Sequence, residues 1–176
     1  VDDDGNGFVD DIFGWDFISN DNDPLPTAGE NHGTAVAGAA AGVGNNNLGI
    51  VGSAFNAQWV GIRGGTLIDS SDAGALSYNR NVVDISNASW GPIDNGMNKT
   101  APGPLTRAAL QNGVNLGRGG LGNIFVWAAG NGLGSNDNVN YDGFASSRYA
   151  IAVSALNNNG AQAPYNVVVV ELADDP

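Results

Sequence analysis

Short apolar, β-rich segments alternate with helix-like segments along this chain, and this alternation constrains its fold more than any other feature. The helix-like stretches are residues 70–79 and 103–117, and the second of them spaces its apolar residues as a helix does. Strand–helix–strand alternation predicts an α/β fold with a mainly parallel sheet flanked by helices. In such folds, functional residues lie in loops at the carboxyl ends of the strands. The β-rich segments are AQWVGIR (57–63), VVDISNAS (82–89), NIFVWAAG (123–130) and YAIAVSAL (149–156).

The length of 176 residues predicts one compact domain, and no linker is visible. Residues 1–30 form an acidic region, residues 31–165 the core, and residues 166–176 a divergent tail. We expect residues 1–33 to be irregular. A helix of small residues is expected to follow at 34–42.

Composition excludes several classes of function. The chain has 6 Lys and Arg against 18 Asp and Glu, a formal net charge of −12. This charge argues against binding to nucleic acid, whose phosphates need basic partners. There is no cysteine, so disulfides and thiolate catalysis are excluded. No apolar run approaches the ~20 residues that span a bilayer, so no membrane span is expected, and no signal segment is visible.

The acidic stretch DDDGNGFVDD at residues 2–11 offers oxygen ligands for a hard cation. Asp2, Asp4 and Asn6 alternate as the first ligands of a calcium loop do. An EF-hand would place a glutamate at its twelfth position, where this chain has Phe13, so a solvated acidic turn is an equal alternative. A second cluster, WDFISNDNDP, has the same two interpretations, a metal site or an exposed acidic loop.

His32 is the only histidine of the chain, within the stretch ENHGTAVAGAAAG. A lone histidine is more often a surface or core residue than a catalyst. Its neighbours decide the interpretation here, because Gly33 and Thr34 lead directly into a run of small residues.

Three stretches occur in order: NHGTAVAG around His32, NASWGP at 87–92 and FVWAAGNG at 125–132. Together they resemble the subtilisin superfamily of serine peptidases. The stretch GRGGLGNIFVWAAGNG is most similar to the kexin and furin branch, the proprotein convertases. The resemblance covers about residues 11–165. It implies a subtilisin-like fold, here expected to be truncated at both ends.

The resemblance assigns roles to five residues. His32 matches the general base that takes a proton from the nucleophilic serine. Asn131 matches the oxyanion donor. Ser89, Trp90 and Gly91 match the edge segment that pairs with the extended backbone of a substrate.

The same resemblance implies a pocket for a basic side chain and two calcium sites. Asp94 and Asp142 fall where kexin-like enzymes hold arginine or lysine through charge-assisted hydrogen bonds. Asp137 would join Asp94 at a calcium site beneath that pocket. Asp16 and Asp23 fall on the ligands of another calcium site.

A third calcium site is implied for the loop that begins at Val43. Its side-chain ligand would be Asn46, with Leu48 and Ile50 also at ligand positions. The family normally adds an upstream aspartate, which this chain does not contain. Calcium is accordingly the expected cofactor.

The chain also departs from the family. The resemblance implies cysteines where this chain has Val36, Val139 and Tyr141, so two cross-links of the convertases are lost. Val139 and Tyr141 flank the pocket segment. Leu25 and Pro102 stand where acidic residues are frequent. Selectivity for one basic residue before the cleaved bond is therefore better supported than multibasic selectivity.

Two motifs of the family are missing from these residues. No apolar strand ending D-[TSD]-G precedes His32, and Asp10 and Asp11 are poor substitutes. No G-T-S-x-A-x-P segment supplies a nucleophile. We therefore expect the 176 residues alone to be inactive and poorly stable.

Two hypotheses remain open. One is a calcium-dependent, secreted endopeptidase with a peptide substrate and a propeptide as partners. The other is a non-catalytic relative that binds calcium or another protein. The retention of His32 and Asn131 favours the enzyme.

Overall fold

A computed structural model describes residues 1–97 and 99–166. The chain divides into two compact units, residues 1–64 and 65–176. Each contains parallel strands and at least one helix, which agrees with the predicted α/β class. The predicted tail, residues 166–176, lies outside the described residues except for Asn166.

The first unit is built around two parallel strands, β1 (Gly14–Asp16) and β2 (Gly61–Arg63). Gly14 has a φ of +123°, and a Cβ there would lie 1.7 Å from the carbonyl oxygen of Gly61, so only glycine fits this pairing. Trp15 is buried beside β2 and packs against Phe8 with ring centroids 5.0 Å apart. The expectation that residues 1–33 are irregular is wrong at β1, because its hydrogen-bonding partner lies far along the chain and leaves no local pattern.

Helix α1 (His32–Ala41) begins two residues before the predicted start. Small residues let its end approach the following loop closely. A Cβ on Gly52 would lie 2.3 Å from the nitrogen of Gly42, and the Gly52 N–H donates to the Gly42 carbonyl at 2.8 Å. The small-residue run therefore serves a backbone-to-backbone contact within this unit.

The second unit contains a three-stranded parallel sheet in the order β3 (Ile85–Ala88), β4 (Ile124–Ala128), β5 (Ala150–Val153). Helices α2 (Asp69–Ser77) and α3 (Pro104–Gly120) accompany it. All three strands lie inside the predicted β-rich segments but are shorter, because residues 123 and 129–130 leave the ladder.

The core of the second unit forms where the helices pack on one face of this sheet. Phe125 and Trp127 of β4 are 2% and 0% exposed, and Leu110 of α3 is 0% exposed. Gly113 lets α3 pass the Phe125 ring, since a Cβ there would lie 2.6 Å from the ring. Because β4 is anchored in this core, residues 129–132, which follow its carboxyl end, have a fixed position.

Among the described residues, no helix has both the length and the apolar character that crossing a membrane requires.

Candidate active site

Residues 89–91 continue from the carboxyl end of β3, as the sequence predicts for a functional loop. The carbonyl oxygen of Trp90 accepts a hydrogen bond from Trp127 Nε1 at 2.7 Å. The Ser89 hydroxyl accepts one from Asn87 Nδ2 at 3.0 Å, and Gly91 is exposed. The three predicted backbone-binding residues therefore lie together at the edge of the sheet.

A narrow acidic cleft opens beside this segment. It contains three carboxylates, those of Asp94, Asp137 and Asp142, which the sequence assigned to a basic pocket and a calcium site. As the side chains stand, the cleft has no room for a water-sized group. A guanidinium would therefore require the walls to move apart. The cleft is lined by Pro92, Ile93, Asp94, Ala129, Asp137, Asn138, Tyr141 and Asp142.

Asp94 and Asp137 come close because a glycine stands between them. A Cβ on Gly132 would lie 2.8 Å from the Cβ of Asp94 and 2.5 Å from that of Asp137. Asp94 Oδ2 accepts from the Asn131 N–H at 2.7 Å. Asp137 Oδ2 accepts from the Gly96 N–H at 3.0 Å. Backbone donors thus hold two like charges in place, an arrangement that a cation would stabilise further.

Asp142 is the most perturbed acid of the described chain. It is 7% exposed, and burial raises the pKa of its carboxyl to about 6, with the charges of Asp94 and Asp137 adding to the effect. The N–H groups of Phe144 and Ala145 donate to Oδ1 at 2.8 and 3.3 Å and oppose the rise in pKa. Asp142 lies beside the segment predicted to bind substrate, since a Cβ on Gly91 would be 2.8 Å from Asp142 Oδ2.

Asn131 follows β4 after a glycine with left-handed backbone, Gly130 at φ +101°. Asn131 is exposed, and its side-chain amide makes no hydrogen bond to another described residue. The turn therefore leaves Asn131 exposed to solvent, and its role as an oxyanion donor stays a prediction.

His32 is the first residue of α1 and is exposed. Its imidazole has no hydrogen-bond partner among the described residues. His32 belongs to the first unit and Asn131 to the second. The role of His32 stays a prediction.

The N-terminal acidic loop is ordered by its own side chains. Asp2 Oδ1 accepts from the N–H groups of Gly5 and Asn6 at 2.9 and 3.1 Å. Asn6 Nδ2 donates to Asp4 Oδ2 at 3.1 Å. The structure thus brings Asp2, Asp4 and Asn6 together, with oxygen atoms of the kind that calcium prefers.

Asp16 is occupied by partners within its unit. It is 2% exposed, its Oδ2 bonds to Arg63 at 2.7 Å, and its Oδ1 accepts from the Ile18 and Ser19 N–H groups. Burial would raise the pKa of this carboxyl, but these hydrogen bonds hold it below its usual value. Asp23 Oδ1 accepts from the Leu25 N–H at 3.2 Å. Arg63 therefore already neutralises Asp16, a partner that the sequence did not indicate.

The loop after α1 contains the residues predicted for the third calcium site. Asn46 Oδ1 accepts from the Leu48 N–H at 3.0 Å. The carbonyls of Val43, Leu48 and Ile50 accept no backbone hydrogen bond within the described residues. These oxygens are available to a cation or to water.

Within residues 1–97 and 99–166, no group of three or more His, Asp or Glu side chains is arranged to hold a metal ion. No predicted calcium site has more than two carboxylates, and only the sites at residues 2–6 and 43–50 would add amide or carbonyl oxygens. The all-oxygen donor sets fit calcium in their chemistry, and calcium remains a prediction.

Two positions of the site have roles that the sequence did not indicate. The sequence suggests for Gly132 only a place in an Asn-Gly turn, but in the structure it lies between Asp94 and Asp137 and lets their side chains approach each other. Val139, where the resemblance implies a cysteine, is 1% exposed and belongs to the core. An apolar core residue therefore stands at this position.

The sequence model of the subtilase family matches residues 3–173. Proprotein convertase subtilisin/kexin type 5 of Rattus norvegicus is 45% identical over 156 residues, 85% of this chain and 9% of the relative. Proprotein convertase subtilisin/kexin type 7 of Mus musculus is 45% identical over 152 residues, 83% of this chain and 20% of the relative. Neuroendocrine convertase 2 of Homo sapiens is 42% identical over 159 residues, 86% of this chain and 25% of the relative. The chain thus spans a quarter or less of these relatives.

Proposed function

Because the chain belongs to the subtilase family, we propose that it forms part of a calcium-dependent serine endopeptidase that cleaves after a single basic residue. The observation that carries this proposal is the acidic cleft beside residues 89–91. Three carboxylates lie there next to a strand end that has the exposure needed to pair with a peptide.

The chemistry of the cleft favours a basic side chain. Asp142 is costly to ionise where it lies, since burial and two neighbouring carboxylates raise its pKa. An arriving guanidinium would offset that cost and receive bidentate hydrogen bonds. The free energy of these interactions would offset the cost of opening the cleft when the basic side chain binds.

In the proposed reaction, each assigned residue has one task. Backbone groups of residues 89–91 pair with the substrate strand. His32 accepts the proton of the nucleophilic serine. The Asn131 side-chain amide donates to the oxyanion as the carbonyl is attacked. Calcium, when bound by Asp94 and Asp137, would balance their charge and brace the cleft.

The 176 residues contain neither an apolar strand ending in D-[TSD]-G nor a G-T-S-x-A-x-P segment, so we propose that they are inactive when produced alone. The natural full-length protein is the material for the test. The same proposal includes secretion, since calcium is abundant outside cells, and a propeptide as a partner. The departures at Leu25 and Pro102 support recognition of one basic residue.

The test uses two fluorogenic peptides that differ only by Arg or Ala before the cleaved bond. The full-length protein is expected to cleave the Arg peptide in calcium, and His32→Ala to abolish cleavage. Asn131→Ala should lower kcat by about 10²- to 10³-fold, the usual cost of removing one oxyanion donor from a subtilisin-type site. Cleavage that survives His32→Ala would contradict the role of His32 as general base, and no cleavage by the parent protein would favour the non-catalytic alternative.

A further inference from the structure

Trp127 combines complete burial with a single directed polar contact. It lies on β4, is 0% exposed, and its indole N–H donates to the carbonyl of Trp90 at 2.7 Å. A buried tryptophan normally finds a partner for its N–H. Here that partner is the backbone of the middle residue of the proposed substrate-binding segment.

The rings around this bond connect the segment to the acidic cleft. The Trp90 and Trp127 centroids are 4.7 Å apart at an interplanar angle of 69°. Phe144 packs on both rings, at 5.4 and 5.5 Å. The Phe144 N–H in turn donates to Asp142 Oδ1 at 2.8 Å. The contacts therefore run from the segment through the aromatic rings to the cleft carboxylate.

The direction of the Trp90 carbonyl decides which groups face a substrate. Backbone groups of successive residues in an extended segment point to opposite sides. β3 is an edge strand of the described sheet. In an extended segment, a Trp90 carbonyl held by the Trp127 indole would leave the backbone polar groups of Ser89 and Gly91 on the opposite side, where a peptide strand would pair.

We propose that Trp127 is a positioning residue that fixes the Trp90 carbonyl and thereby holds Ser89 and Gly91 in register for peptide binding. The inference rests on the proposed function of residues 89–91. Without the indole N–H, the Trp90 carbonyl loses its partner and the segment loses its fixed orientation. Pairing of an extended peptide is binding shared by ground state and transition state, so the loss falls on KM and not on kcat.

The test replaces Trp127 by β-benzothienylalanine, an isostere in which sulfur takes the place of the N–H. The matched control is the same replacement at Trp15, whose buried Nε1 has no hydrogen-bond partner among the described residues. Both variants are made in the full-length protein, which avoids the cavity that Trp127→Ala would create. Thermal unfolding and the KM and kcat for an arginyl peptide are measured for each.

The Trp127 isostere is expected to raise KM about three- to tenfold with kcat within about twofold, while the Trp15 isostere leaves both unchanged. A purely structural role for Trp127 would lower the unfolding temperature without a change in KM, and that result overturns the inference alone. A parent protein that cleaves no arginyl peptide overturns the proposed function, and the inference with it.

Discussion

Replacement of Asp142 by asparagine should make the protein more stable at neutral and alkaline pH. The asparagine Oδ1 keeps the hydrogen bonds that Phe144 and Ala145 donate to Asp142 Oδ1. The charge that burial and the neighbours Asp94 and Asp137 disfavour is removed. On this account, the wild-type Asp142 lowers the stability of the protein for the sake of its function in the cleft.

The magnitude follows from the pKa of Asp142. Its folded value of about 6 lies above the ordinary value of 3.8. Ionisation in the folded state therefore costs at most about 3 kcal/mol, and solvent screening reduces this to roughly 1–2 kcal/mol. A raised folded pKa means that the wild-type protein keeps this stability below the unfolded pKa and loses it as pH rises through the folded pKa.

The assay is urea unfolding of the wild type and Asp142→Asn, followed by tryptophan fluorescence, in EDTA. The advantage of the variant should be largest near about pH 8 and shrink towards about pH 4. With calcium added, a cation at Asp94 and Asp137 would favour the Asp142 carboxylate, and the advantage should decrease. An advantage that does not change with pH, or a loss of stability at about pH 8, would refute this reasoning.

Three further predictions concern single contacts. Gly132→Ala, where a Cβ meets Asp94 and Asp137, should lower the free energy of unfolding in urea by about 1–3 kcal/mol. The control Gly134→Ala, where a Cβ meets nothing within 4 Å, should leave it unchanged. Equal effects of the two substitutions would refute the steric argument. Asp69 accepts from the Leu105 and Thr106 N–H groups at the start of α3 at 3.0 and 2.8 Å, so Asp69→Ala should lower the unfolding temperature more than Asp3→Ala. Burial would raise the pKa of Asp69, but these hydrogen bonds lower it below 3.8. The larger loss of unfolding temperature in Asp69→Ala should therefore persist above about pH 4 and vanish as pH falls through the folded pKa of Asp69. Arg63→Met should destabilise the first unit by leaving buried Asp16 without its cation, and an unchanged unfolding temperature would show that the pair contributes nothing.

Local patterns predicted the parts of the fold that are specified locally. The strands of the second sheet lie inside the apolar β-rich segments, and α3 follows its helical spacing from Pro104. β1 escaped prediction, because its three residues become a strand only through β2. The family resemblance implied a basic pocket with Asp94 and Asp142 and a calcium site beneath it with Asp94 and Asp137, and the structure brings the three carboxylates to one cleft.

Close contacts explain what the sequence did not indicate. Gly132 is an ordinary residue type in a turn, and its role exists only because Asp94 and Asp137 flank it in space. The pairing of Arg63 with Asp16 joins residues distant in the chain. Such long-range choices are set by tertiary packing and leave no periodicity in the sequence.

The most direct measurement of the central claim is the ratio of kcat/KM for an arginyl over a glutaminyl peptide, in the full-length protein and its Asp142→Asn variant. If the acidic cleft receives the basic side chain, the wild type strongly prefers arginine and the variant loses most of that preference, by about 10-fold or more. An arginine preference that Asp142→Asn leaves intact would contradict the assignment of this cleft.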